Sequence, residues 1–252
     1  MKRMHAKDMK KIMGIEDEMI KLLPKLEGSC LNPWSGYLPK ILSGVRVKKG
    51  DVVLDIPCGM AGVSIPLAKK YGAKVLGYDI FPAYIEYARQ NSRKQKVGHL
   101  CAFGVRDIRD VVKRKDICDV LLWIAPPHLW KTSKAAIKRL RNCVKNGGWI
   151  LMADAYLYSS KAARYENYET LQASTKGYLS CGDSLVRFVD FKRALWKEDY
   201  RKARESARKV LKRADNERER KVVERYLEFL AKGEKKDAKY LGLAIWLLKV
   251  KK

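Results

Sequence analysis

Five short apolar runs, at residues 52–56, 74–78, 99–103, 118–124 and 148–155, alternate with amphipathic segments at about 62–71, 82–95, 107–113 and 128–144. No other feature of the sequence narrows the fold as far. Strands separated by helices of that length are joined by right-handed crossovers, which gives a parallel sheet with both faces covered. "KNGG" at 145–148 reads as the turn before the fifth strand.

The flanks extend this pattern without dividing it. Residues 6–23 carry Met9, Ile12, Met13, Ile15, Met19, Ile20 and Leu23 at mostly helical spacing, and Pro24 stops that helix. "LNPWSGYLPKILSGV" follows as a loop and a short helix. Beyond residue 156 a polar, Tyr-rich stretch (157–184) has no clean period, and "SLVRFVDFKRAL" then alternates like a strand. Residues 196–232 read as a charged helical pair with i,i+4 partners such as Glu198–Lys202, Arg201–Glu205 and Arg220–Glu224. Val210, Leu211, Val222, Val223, Tyr226, Leu227 and Leu230 form one buried stripe along it, and "YLGLAIWLLKV" (240–250) closes the chain as a buried strand. No repeat or Pro/Gly linker splits the 252 residues, so 1–252 reads as one elaborated α/β domain.

Composition sets the function classes. No apolar run approaches the roughly 18 to 20 residues of a membrane span, and the basic N-terminus lacks the apolar segment of a signal peptide, so a cytoplasmic protein without a membrane partner is expected. The six cysteines are widely spaced, with no C-x-x-C pair; this predicts reduced structural thiols and no metal site. The net charge of +26 is the strongest compositional signal. It is spread along the chain, with 11 basic against 5 acidic residues in 1–50, 22 against 13 in 51–191 and 21 against 10 in 192–252. Such a surface is expected to touch RNA non-specifically at low salt, and it fits solvated lysine-rich helix faces equally well.

The chemistry is expected beyond the carboxyl ends of the strands, where open α/β sheets bind ligands. The turn there reads Asp55-Ile56-Pro57-Cys58-Gly59-Met60-Ala61-Gly62. A dinucleotide loop offers backbone amides to a pyrophosphate. Pro57 has none to offer, which disfavours NAD. S-adenosylmethionine carries no phosphate. It needs a close backbone approach, which Gly59 supplies, and an acid for the ribose hydroxyls. Asp79 ends the second strand about 24 residues after Asp55, near the spacing of a ribose-binding acid.

These residues resemble motifs I and II of the class I S-adenosylmethionine-dependent methyltransferases, with Pro57 and Ala61 in place of the first and third glycines of D/E-x-G-x-G-x-G. "FGVRDIRD" resembles the end of that family's third strand, "CDVLLWIAPPHLW" its fourth strand and active-site loop, and "VKNGGWILMADAY" its fifth. The resemblance covers about residues 30 to 156 and is nearest to a branch similar to small-molecule methyltransferases. It implies a Rossmann-like sheet of seven strands with the last antiparallel, an N-terminal helical segment (1–45), a cap over the pocket (157–184) and a helical insertion (196–232). It implies S-adenosylmethionine as cofactor, held by Trp34, Asp55, Pro57, Cys58, Gly59, Met60, Asp79, Ile80, Arg106, Asp107, Ile108 and Ile124. Asp107 would meet the adenine amino group, and Arg106 replaces the commoner glycine beside it.

The acceptor side is expected in the 125–130 loop and at the end of the fifth strand. His128 is the histidine placed to act as a general base, Asp154 is an acid able to bind a cationic acceptor or to cap a loop, and Tyr156 leaves the strand beside it. Ala125 cannot accept from a target amino group as the first residue of a (D/N)-P-P-(Y/F) loop does, so base N-methylation by that route is not expected. The reading is methyl transfer to a small-molecule acceptor. The alternatives are an RNA or protein methyltransferase that uses the basic surface, and a non-catalytic module that keeps the cofactor fold. Nothing in the sequence fixes the oligomeric state.

Overall fold

The computed structural model describes residues 21–22, 25–26, 45, 47–127, 129–158, 168–192 and 194–252. The expected helix at 6–23 and the "NPW" segment with Trp34 fall largely or wholly outside these residues. In chain order the elements are β1 (Val52–Asp55), α1 (Ser64–Tyr71), β2 (Lys74–Asp79), α2 (Pro82–Lys94), β3 (Cys101–Val105) and α3 (Ile108–Val111). Next come β4 (Cys118–Ile124), α4 (Ser133–Cys143), β5 (Val144–Leu157), α5 (Leu171–Tyr178) and β6 (Ser184–Lys192). The chain closes with α6 (Ala194–Leu211), α7 (Glu217–Tyr240) and β7 (Leu241–Lys249).

The seven strands form one sheet in the order β3-β2-β1-β4-β5-β7-β6. The first five are mutually parallel; β7 runs antiparallel to both β5 and β6. The expected antiparallel last strand is therefore present, inserted between two strands that precede it in the chain. Helices α1 and α2 bury Ile65, Ala68, Ile85 and Ala88 on one face, and α3, α4 and α5 bury Val111, Ile137, Leu140 and Tyr178 on the other.

Two stretches differ from the expected pattern. The "KNGG" segment is not a turn ahead of β5 but an irregularity inside it. Cys118 pairs with Val144 and Val120 with Trp149, and Gly147 takes the left-handed φ of +71° that lets the strand absorb the extra residues. The aperiodic 157–184 stretch, expected to cap the pocket, contains α5. Its N-cap Thr170 accepts from Ala173 N, and Trp246 donates its indole N–H to Thr175 at 2.9 Å. A Cβ on Gly177 would stand 2.8 Å from Lys134 N, so α5 lies hard against the start of α4. Glu169, Ser174 and Tyr178 of this stretch line a pocket with Trp123 and Asp154; 159–167 lies outside the described residues.

Gly242 on β7 faces Tyr156 on β5, whose ring crosses it to reach Asp190 on β6. An added Cβ would lie 2.3 Å from the ring. Gly242→Ala is expected to cost about 1–3 kcal/mol by overpacking, read as a lowered urea midpoint with an unchanged m value.

Candidate active site

The turn after β1 is fastened to its neighbours by backbone hydrogen bonds. Ile56 N donates to Leu122 O, Cys58 N to Tyr78 O and Ala61 N to Cys58 O. Gly59 has φ +49°, and among the described residues a Cβ there would meet nothing within 4 Å. Ala61 has φ +58° although it is not glycine. The position where the resemblance sets a third glycine thus keeps the glycine conformation, strained here by a Cβ. Ala125, which follows β4, is another non-glycine residue with positive φ, at +45°.

Asp79 organises this turn. Its Oδ2 accepts Gly59 N at 2.9 Å and its Oδ1 accepts Phe81 N at 3.0 Å. Asp55 accepts the Ser64 hydroxyl at 2.6 Å. Burial raises both carboxyls above the ordinary range, Asp55 to about 7 with the Asp79 charge adding to the rise. The Cys58 thiol is pushed up by burial and by the same two acids. Met60, Ile108 and Ile124 are buried around this turn and the ends of β3 and β4, and Ile80 is partly buried.

At the end of β3, Asp107 caps α3 by accepting Arg109 N at 2.9 Å, and it forms a bidentate pair with the Arg109 guanidinium. Its carboxylate thus has a capping duty that the resemblance did not imply. Arg106 lays its guanidinium over the Tyr78 ring at 5.5 Å.

On the acceptor side, His128 lies outside the described residues. Asp154 is buried and accepts the Tyr178 hydroxyl at 3.2 Å, while Trp123 and Trp130 stack with centroids 5.4 Å apart. These side chains, with Pro127 and Glu169, line a pocket of about 30 Å³. Glu169 accepts Ser133 N at the start of α4 at 2.5 Å. Tyr156 is not turned into this cavity. It is 3% exposed and its hydroxyl donates to Asp190 at 2.7 Å.

The sequence reading missed an apolar cluster that packs the helical pair against the turn after β1. Met60, Phe81 and Tyr84 share one apolar cluster with Leu26 and with Ala207, Val222, Val223, Tyr226 and Leu230 of α6 and α7. Ile80 and Leu129 pack against the same cluster. The stripe on the helical pair was legible, but nothing in the sequence said which surface it met. Glu169 and Tyr178 were missed because their segment has no readable period.

The residues present suit S-adenosylmethionine better than a dinucleotide. The Gly59 amide, which would face a phosphate, is held by Asp79, Pro57 has no N–H, and two buried acids stand at the turn. A phosphate would be repelled there. A cofactor bearing a sulfonium and an ammonium would not.

Comparison with known proteins agrees with this geometry. A family profile described as a methyltransferase domain matches residues 47–220, and the chain belongs to that family. It is 33% identical over 136 residues to a putative protein N5-glutamine methyltransferase of Methanocaldococcus jannaschii, and 30% identical over 106 residues to the chloroplastic tocopherol O-methyltransferase of Arabidopsis thaliana. It spans 65% and 30% of their lengths, respectively. Among solved structures, a methyltransferase of Geobacter sulfurreducens in complex with S-adenosyl-L-homocysteine superposes with a TM-score of 0.74 at 18% identity, covering 91% of this chain and 96% of that one. A putative sarcosine dimethylglycine methyltransferase of Galdieria sulphuraria gives 0.75 at 12% identity, covering 94% and 99%. The fold is that of the class I S-adenosylmethionine-dependent methyltransferases.

Among the described residues no helix is long and apolar enough to cross a membrane, and no group of three potential metal ligands occurs. The five cysteines among them are free thiols.

Proposed function

We propose that the protein transfers a methyl group from S-adenosylmethionine to a small-molecule acceptor. One observation carries the cofactor half of the reading: Asp79 occupies the Gly59 amide, which takes a donor from any phosphate cradle and leaves buried acids at the turn. S-adenosylmethionine supplies an electrophilic methyl on a sulfonium. Asp79 would hold the ribose, Gly59 would allow close approach, and the buried side chains of Met60, Ile108 and Ile124 would exclude water. Asp154 and the 125–130 loop with His128 would face the acceptor. A general base is required if the acceptor must lose a proton. Calorimetry tests the cofactor: S-adenosylmethionine binds and NADH does not, and tight NADH binding overturns the reading.

The net charge of +26 favours a second reading, methyl transfer to RNA or protein. It predicts tight RNA binding at physiological salt. The small-molecule reading predicts retention at low salt that is lost with a log–log slope of roughly 0.7 to 0.9 per phosphate contact and shows no preference among sequences. Arg208 on α6 and Lys212 in the turn just after it are exposed, whereas Arg204 is paired with Glu234 on α7. Arg208→Glu with Lys212→Glu is therefore expected to reduce low-salt RNA retention while leaving cofactor affinity unchanged. One RNA that binds tightly at physiological salt and is methylated replaces the small-molecule acceptor.

A further inference from the structure

We infer that the α6–α7 hairpin is a hinged roof over the cofactor cleft, which must lift for the cofactor to enter or leave. This rests on the cofactor reading above and adds a moving part to it.

Three observations carry it. First, the hairpin seats on the site: its underside residues Val222, Val223, Tyr226 and Leu230 share one cluster with Met60 and Phe81, which flank Gly59 and Asp79. Met60 is 6% exposed beneath this roof, while a Cβ on the neighbouring Gly59 would meet nothing within 4 Å. Among the described residues, the space for a ligand thus lies next to the turn residue that the hairpin covers. Second, the hairpin is stiff. The Tyr200 hydroxyl donates to Asp237 at 2.6 Å, Arg204 pairs with Glu234, and a Cβ on Gly233 would stand 2.5 Å from the Tyr200 oxygen. The two helices are therefore expected to move as one body. Third, α7 passes into β7 with no intervening residue, Tyr240 being followed directly by strand residue Leu241. Strands β6, which ends at Lys192 just ahead of α6, and β7 fix the base of the hairpin, while the rest is held over the site by side-chain packing and by the Lys25–Glu219 pair at 3.2 Å. Apolar packing can part and re-form without breaking a backbone ladder, which is what a lid requires.

The experiment compares wild type with Tyr226→Ala, and with Val222→Ala as a milder cut in the same underside should the first fail to fold. The probe is S-adenosylhomocysteine, followed by stopped-flow, together with amide hydrogen exchange of the free proteins. A loosened roof raises association and dissociation rates together, each by about tenfold, with the equilibrium constant moving by less than about threefold. It also speeds exchange at residues 58–62 in the free variant by about tenfold. Dissociation alone rising marks Tyr226 as a ligand contact, and unchanged rates with a lowered melting temperature mark it as packing; either result overturns the roof. If S-adenosylhomocysteine does not bind wild type at all, the cofactor reading fails. The roof is then judged by the free-protein exchange: coupling between the variant and residues 58–62 supports it, and no coupling overturns it.

Discussion

Asp79→Ala is expected to weaken S-adenosylmethionine binding by about 100-fold. Two charge-assisted hydrogen bonds at roughly 1.5 kcal/mol each amount to about 3 kcal/mol, which corresponds to that factor. The loss has two sources. The ribose hydroxyls would lose their acceptor, and the Gly59 and Phe81 amides would lose the carboxylate that sets the turn. Asp79→Asn keeps one acceptor oxygen and should fall between the two. Calorimetry on a folded Asp79→Ala variant with undiminished affinity would remove Asp79 from the site.

The second large effect is on stability. Burial, with the nearby Asp79 charge adding to it, pushes the Asp55 carboxyl up to about 7 from an ordinary value of 3.8. A carboxyl raised on folding makes the native state hold more protons than the unfolded chain between those two values. Its contribution therefore lowers stability as pH rises from about 4 to about 7, and it is constant above that. At 1.36 kcal/mol per unit the cost above pH 7 is on the order of 4 kcal/mol. Asp55→Asn keeps an acceptor for the Ser64 hydroxyl and carries no charge. It should exceed wild type in urea resistance at pH 8 and converge with it near pH 4. A constant difference across that range would show that Asp55 is not raised.

The sequence made the parallel half of the sheet legible because strands buried on both faces read as unbroken apolar runs. Val53, Leu54, Val120, Leu121 and Leu122 are all at most 1% exposed. The Asp55–Asp79 frame of the turn after β1 was legible for a related reason: a strand, a tight turn and a second strand fix the acid's position by length alone. Element ends were less so. β3 begins at Cys101 because residues 98–100 form a 3-10 turn, and α4 begins at Ser133 because Thr132 caps it by accepting from Ala135 N. Helix α5 escaped because Gly177 and its Ser and Thr residues lower helix propensity, and tertiary packing against α4 overrides that deficit. What Asp107 and Tyr156 bond to was not legible. Arg109 is two residues from Asp107, but its side chain had to fold back, and Asp190 meets Tyr156 only across an intervening strand.

The place of β7 also constrains how the molecule is made. Strand β6 pairs with β7, and β7 in turn with β5. When residues 184–192 leave the ribosome, the strand that will hold them has not been synthesised; two helices must come first. During that interval β6 is an unpaired ribbon bearing Leu185, Val186 and Phe188, which stay at least 37% exposed even in the finished fold. The far half of the sheet therefore locks in one late event, when 241–249 slides between its two neighbours. Until then the nascent chain carries an aggregation hazard that its cofactor-binding half does not share.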